Sequence, residues 1–176
     1  MSLHGRLSVV IPVKPPHASA LLHRLKGTPR GADSPLHLVE GTHLARFSVV
    51  DRLPGEPPSD DTAYLLFSSW FDGEADYYID RLYERREDLA PVWEACFGYD
   101  RVHDQKSFRR WILAHRIEVG FAFDDHELTV DEVQSRLQLR YEVGNFAVWA
   151  QGQDAETLQA AWKAAFPLSR FPAAKR

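Results

Sequence analysis

Among the 176 residues, the side chains best suited to chemistry are eight histidines, one cysteine and a few charged groups embedded in strand-like sequence. The histidines are dispersed, and no HxxxH or CxxC spacing brings two such ligands together on one helix face or turn. The sequence therefore predicts no local metal site, although a site assembled from distant residues stays open. Cys96, in an apolar helical stretch, reads as a small buried side chain. Arg46 is harder to set aside, because a guanidinium on a strand covered on both faces requires a carboxylate, a carbonyl or an anionic ligand. Its plain role is pairing with an acid at the sheet edge. Its functional role is to anchor a small anionic or carbonyl-bearing ligand, with Glu118 able to answer it only across a dimer or through that ligand. The candidate ligand-binding set is Arg46, His43, Phe47, Phe67, Trp70 and Glu118. His43 and Arg46 are three residues apart, which places them on opposite faces of a regular strand. Only a bulge or strong twist brings them to one side.

These residues depend on two strand-like runs, 42–51 and 63–70, joined by a Pro/Gly/Asp loop. A first strand over 7–13 alternates Leu7, Val9, Ile11 and Val13, and a short helix over 17–26 follows with Ala18, Leu21, Leu22 and Leu25 on one side. Asp72 and Gly73 read as an N-cap and a turn glycine opening a second helix, in which Ala75, Tyr78, Ile79 and Leu82 share a stripe. A fourth strand is expected over 116–123, and Thr129 with Glu132 forms a capping box for a helix toward Glu142. A last helix is expected over 154–166, with a mobile tail over 167–176. The order β-α-β-β-α-β predicts an α+β, ferredoxin-like domain over 1–166, with a four-stranded antiparallel sheet and extra C-terminal helices.

Helices cover one face of such a sheet. The other face must be covered by the C-terminal helices or by a second copy, and the apolar content of the strands favours a homodimer. A net charge of −4 and a pI near 6.0 argue against a nucleic-acid partner. One cysteine, no apolar run of membrane-spanning length and no signal-peptide pattern predict a cytoplasmic protein with no membrane partner. No GxGxxG, Walker or GxSxG sequence supports nucleotide binding or α/β-hydrolase chemistry.

Four segments in order carry a resemblance over about residues 5–125: Pro12-Val13-Lys14-Pro15, Gly41-Thr42-His43 with Arg46, the run from Leu65 to Gly73, and Trp93, Cys96, Gly98 and Tyr99. They resemble a poorly characterised bacterial family of the dimeric α+β-barrel superfamily. That superfamily includes dye-decolourising haem peroxidases, chlorite dismutase-like proteins and small monooxygenases. The resemblance implies an oxidoreductase-like or haem-associated small-molecule-binding domain, with a noncatalytic dimerisation or partner-binding module as the alternative. Haem is the cofactor it would bring, with His43, His103 or His115 as candidate axial ligand. The peroxidase motif GxxDG is incomplete, since Ser69 stands where its first glycine would be.

Overall fold

The computed structural model describes residues 4–50, 63–118 and 128–167. The chain divides into two compact units, Met1–Glu132 and Val133–Arg176.

The first unit is an α+β unit built on an antiparallel sheet of β1 (His4–Val13), β2 (Thr42–Val50) and β3 (Ala63–Asp72), in the order β1-β3-β2. The strict alternation Ala63, Leu65, Phe67, Ser69, Phe71 makes one side of β3 fully buried. Leu7, Val9, Ile11 and Val13 of β1 are buried in the same core, and Ala45, Phe47 and Val49 of β2 pack against it. Onto this face fold α1 (Ala18–Gly27), α2 (Ala75–Glu84), α3 (Arg86–Trp93) and α4 (Gln105–Ala114). They contribute Leu21, Tyr78, Ile79, Leu82, Trp93 and Phe108 to the core. The expected stripe of the second helix is thus the buried side of α2.

Three strands, rather than the expected four, form the sheet among the described residues. Where the fourth was expected, Arg116 makes a single antiparallel bridge to Val9, and residues 119–127 lie outside the described residues. Val10 N donates to His115 O at 3.0 Å and Ile117 N to Ser8 O at 2.9 Å, while Phe97 N donates to Pro12 O and Lys14 N to Ala95 O, both at 2.9 Å. The outer edge of β1 is therefore satisfied by two short backbone pieces.

The opening of α2 also differs from expectation. Gly73 makes the turn at φ +81°, but the N-cap position is Glu74, and Asp72 remains in β3. Its carboxylate is engaged elsewhere, as described below.

In the second unit, α5 (Val130–Trp149), which begins just before the unit boundary, and α6 (Ala155–Ala165) meet through Phe146, whose ring lies 5.3 Å from Trp162 and 5.6 Å from Phe166. The expected capping box opens α5, with Thr129 N donating to Glu132 Oε2 at 2.9 Å and Glu132 N to Thr129 Oγ1 at 3.2 Å. Asp154 caps α6 by accepting from Glu156 N and Thr157 N. No helix among the described residues is long and apolar enough to cross a membrane. Residues 168–176, where a mobile tail was expected, lie outside the described residues.

Gly5 pairs with Phe71 across the β1–β3 ladder, and a Cβ built there would overlap the Phe71 ring and the Gly73 carbonyl. That ring is stacked on Tyr78 at 3.9 Å with an interplanar angle of 1°, so it has little room to yield. Gly5→Ala should lower unfolding stability in urea by about 1–3 kcal/mol, the usual cost of overpacking. An unchanged denaturation midpoint would show that the ring shifts freely.

Candidate functional site

Antiparallel pairing brings the starts of β1 and β2 to the end of β3. His4 faces Asp72 in the β1–β3 register, while Thr42 and Leu44 face Phe71 and Trp70 of β3. Two residues of β2 thus span one step of β3, and His43 is the extra residue of a bulge. The bulge turns His43 to the side opposite the helices, where its Nε2 lies 2.8 Å from Asp72 Oδ1 and its ring stacks on Trp70 at 4.8 Å. His4, on the same side, stands edge-on to His43 at 4.7 Å and to Trp70 at 5.2 Å.

The bulge is held from beneath. Gly41, at φ +75°, makes the turn into β2, and its carbonyl accepts from Asp72 N at 2.9 Å. Thr42 Oγ1 gives its one proton to Val39 O at 2.7 Å, leaving the Tyr78 phenol as donor in the 3.2 Å contact between the two hydroxyls. Burial, the largest cause, raises the Tyr78 pKa and keeps the phenol protonated for that role.

The His4, His43 and Asp72 ligand atoms all lie within 4.8 Å of one another, the one such cluster among the described residues. The His4 and His43 side chains are 2% and 7% exposed, whereas Asp72 is 25% exposed and supplies the way in. His43 donates to the Asp72 carboxylate, and His4 Nε2 lies 2.9 Å from the Leu128 carbonyl, which can only accept. Both imidazoles therefore carry the proton on Nε2. A metal ion would replace these two hydrogen bonds, with the proton on Nδ1 or released. The second Asp72 oxygen accepts from Val130 N at 3.0 Å, fixing the carboxylate while Oδ1 points at the histidines. Two imidazoles and one carboxylate suit a divalent transition metal with positions left open.

No family model, curated protein or solved structure matches the chain.

The residues singled out in the sequence divide between the two sheet faces. Arg46 and Trp70 share the outer face with His43, but Arg46 is exposed rather than enclosed and stands opposite Ser68, four residues along β3 from Asp72. Phe47 and Phe67 lie on the helix side, each against Trp93, and Phe47 also lines a cavity of about 370 Å³ with Leu25, Leu36, Leu89 and Val92. Glu118 is exposed beyond the Arg116 bridge, with no ion pair to Arg46.

A haem on His43 does not fit its surroundings. Asp72, His4 and Trp70 crowd the His43 ring, leaving no clear plane above Nε2 for a porphyrin. His103 is exposed, and His115 Nδ1 is bonded to Trp111 O at 2.8 Å with its ring against Trp111. Neither the 370 Å³ cavity nor one of about 540 Å³ beside His17 and His23 is lined by these three histidines.

Sequence reasoning missed His4, which lies three residues before the predicted start of β1, and assigned Asp72 to a helix cap. The usable signal was positional: in an antiparallel trio, the first residues of β1 and β2 fall beside the last residue of β3.

Cys96 is fully buried, and burial pushes its thiol up to about 12. At pH 8 the native thiolate fraction should be more than about 100-fold below that of the unfolded chain, given an ordinary thiol pKa near 8.5. Iodoacetamide should label Cys96 slowly in the native protein and quickly in urea. Equal rates would mean the thiol is accessible and ionised.

Proposed function

We propose that the chain is a small-molecule-binding protein built around a mononuclear transition-metal centre at His4, His43 and Asp72, with oxidoreductase-like chemistry at iron(II). The observation that carries this reading is the convergence, from three strands, of two imidazoles and a carboxylate oriented through its other oxygen. That donor set with open positions is characteristic of non-haem iron(II) sites. Support for the ferredoxin-like arrangement comes from the strand order β1-β3-β2, with the Arg116 bridge on the β1 edge where a fourth strand would lie.

Cobalt(II), followed by visible absorption and equilibrium dialysis, is the direct test. One equivalent should bind the wild type. His43→Ala and His4→Ala should weaken binding by more than about 100-fold, because outer-shell partners alone typically contribute 10–100-fold. Uptake that is substoichiometric, or unchanged in His43→Ala, would remove the reading.

We also propose a homodimer, on the evidence of α5. Leu139, Val143 and Phe146 form its half-buried stripe, whereas Leu137, Tyr141 and Val148 form a second stripe that is exposed along its length. A helix apolar on two sides is ordinarily covered on both. Sedimentation at tens of micromolar should give a dimer, and Leu137→Asp a monomer with the same helical content. A monomeric wild type would exclude the pairing.

A further inference from the structure

The outer face of the sheet is ordered in rows, each crossing all three strands. His4, Asp72 and His43 form the end row. Next come Arg6, Trp70 and Leu44, then Ser8, Ser68 and Arg46, then Val10, Leu66 and Ser48. The third row is polar throughout and lies between a row containing Trp70 and Leu44 and one containing Val10 and Leu66. Among the described residues, the Arg46 guanidinium forms no ion pair or hydrogen bond, and neither do the hydroxyls of Ser8 and Ser68.

We propose that this row is a carboxylate subsite serving the metal centre, so that the protein takes a small aromatic acid whose carboxylate is held by Arg46 and whose other end reaches the metal. The proposal rests on the metal reading above. The end row and the Arg46 row are four residues apart along β3, about 13 Å at the strand rise. A guanidinium extended toward the centre shortens that span to the length of one ring with a short side chain. Between the two ends lie Trp70 and Leu44, and Leu44 is 64% exposed, an unusual position for an apolar side chain on a sheet face. They offer an apolar floor for the ring, while the guanidinium fork matches a planar carboxylate in two parallel hydrogen bonds. Ser8 and Ser68 add hydroxyl donors beside it.

The test uses the full chain loaded with cobalt(II), titrated calorimetrically with hydrocinnamate and with the neutral hydrocinnamamide. Wild type should prefer the acid by at least about tenfold, the worth of one charge-assisted hydrogen-bond pair. Arg46→Ala should abolish that preference, while its cobalt(II) affinity and melting temperature stay at wild-type values because Arg46 is exposed. Equal binding of acid and amide by wild type overturns the subsite. So does an acid preference that survives in Arg46→Ala, because the carboxylate would then be bound by the metal itself. Either result, obtained with cobalt(II) bound, leaves the metal centre standing; a wild type that takes up no cobalt(II) removes both.

Discussion

One carboxylate ties three distant parts of the chain together. Asp72 ends the central strand, accepts from His43 through one oxygen and from the first turn of α5 through the other, and its own amide is held by the turn that precedes β2. Each bond constrains the others. If Oδ2 lost the Val130 amide, the carboxylate could rotate and Oδ1 would no longer be aimed at the histidines. If the Gly41 turn were relaxed, the bulge that carries His43 would lose its support. The geometry of the candidate centre is thus inherited from the backbone around Asp72 rather than from the imidazoles, whose rings are positioned by what they lean on.

Below the sheet, the same end is braced by aromatic packing. Phe71 points away from the site into the core, where it stacks on Tyr78, and Tyr78 returns a hydroxyl contact to Thr42 at the base of the bulge. The two faces of the sheet are therefore coupled through one ring pair and one hydroxyl contact. The centre rests on a part of the molecule whose side chains have little freedom to move.

The alternation of Leu7, Val9, Ile11 and Val13 and the stripe of Tyr78, Ile79 and Leu82 made the core side of the unit readable in advance, because burial imposes a period on sequence. The outer face offered no such period. His4 was missed because Gly5, Arg6 and Ser8 dilute the strand pattern that begins there, and strand ends are where pattern is weakest. His43 was singled out, but regular alternation put it on the other side of the strand, since a bulge adds one residue without leaving a compositional mark. Arg46 looked enclosed because apolar neighbours suggested two covered faces, and it proves exposed. The grouping of His4 with His43 and Asp72 depends on β3 lying between β1 and β2, a fact of topology that no local spacing encodes.

The bulge in β2 has a second effect, on solubility. Among the described residues no strand pairs with the outer side of β2, whereas the far side of β1 is satisfied by backbone from residues 95–97 and 115–117. An unpaired strand edge is a template onto which other chains can add and begin a fibre. The extra residue at His43 breaks the regular spacing of amides and carbonyls at one end of that edge, and the charge of Arg46 interrupts the apolar run beyond it. A variant with His43 deleted would therefore have a straighter, more regular edge, and the chain would lose its guard against aggregation together with its imidazole.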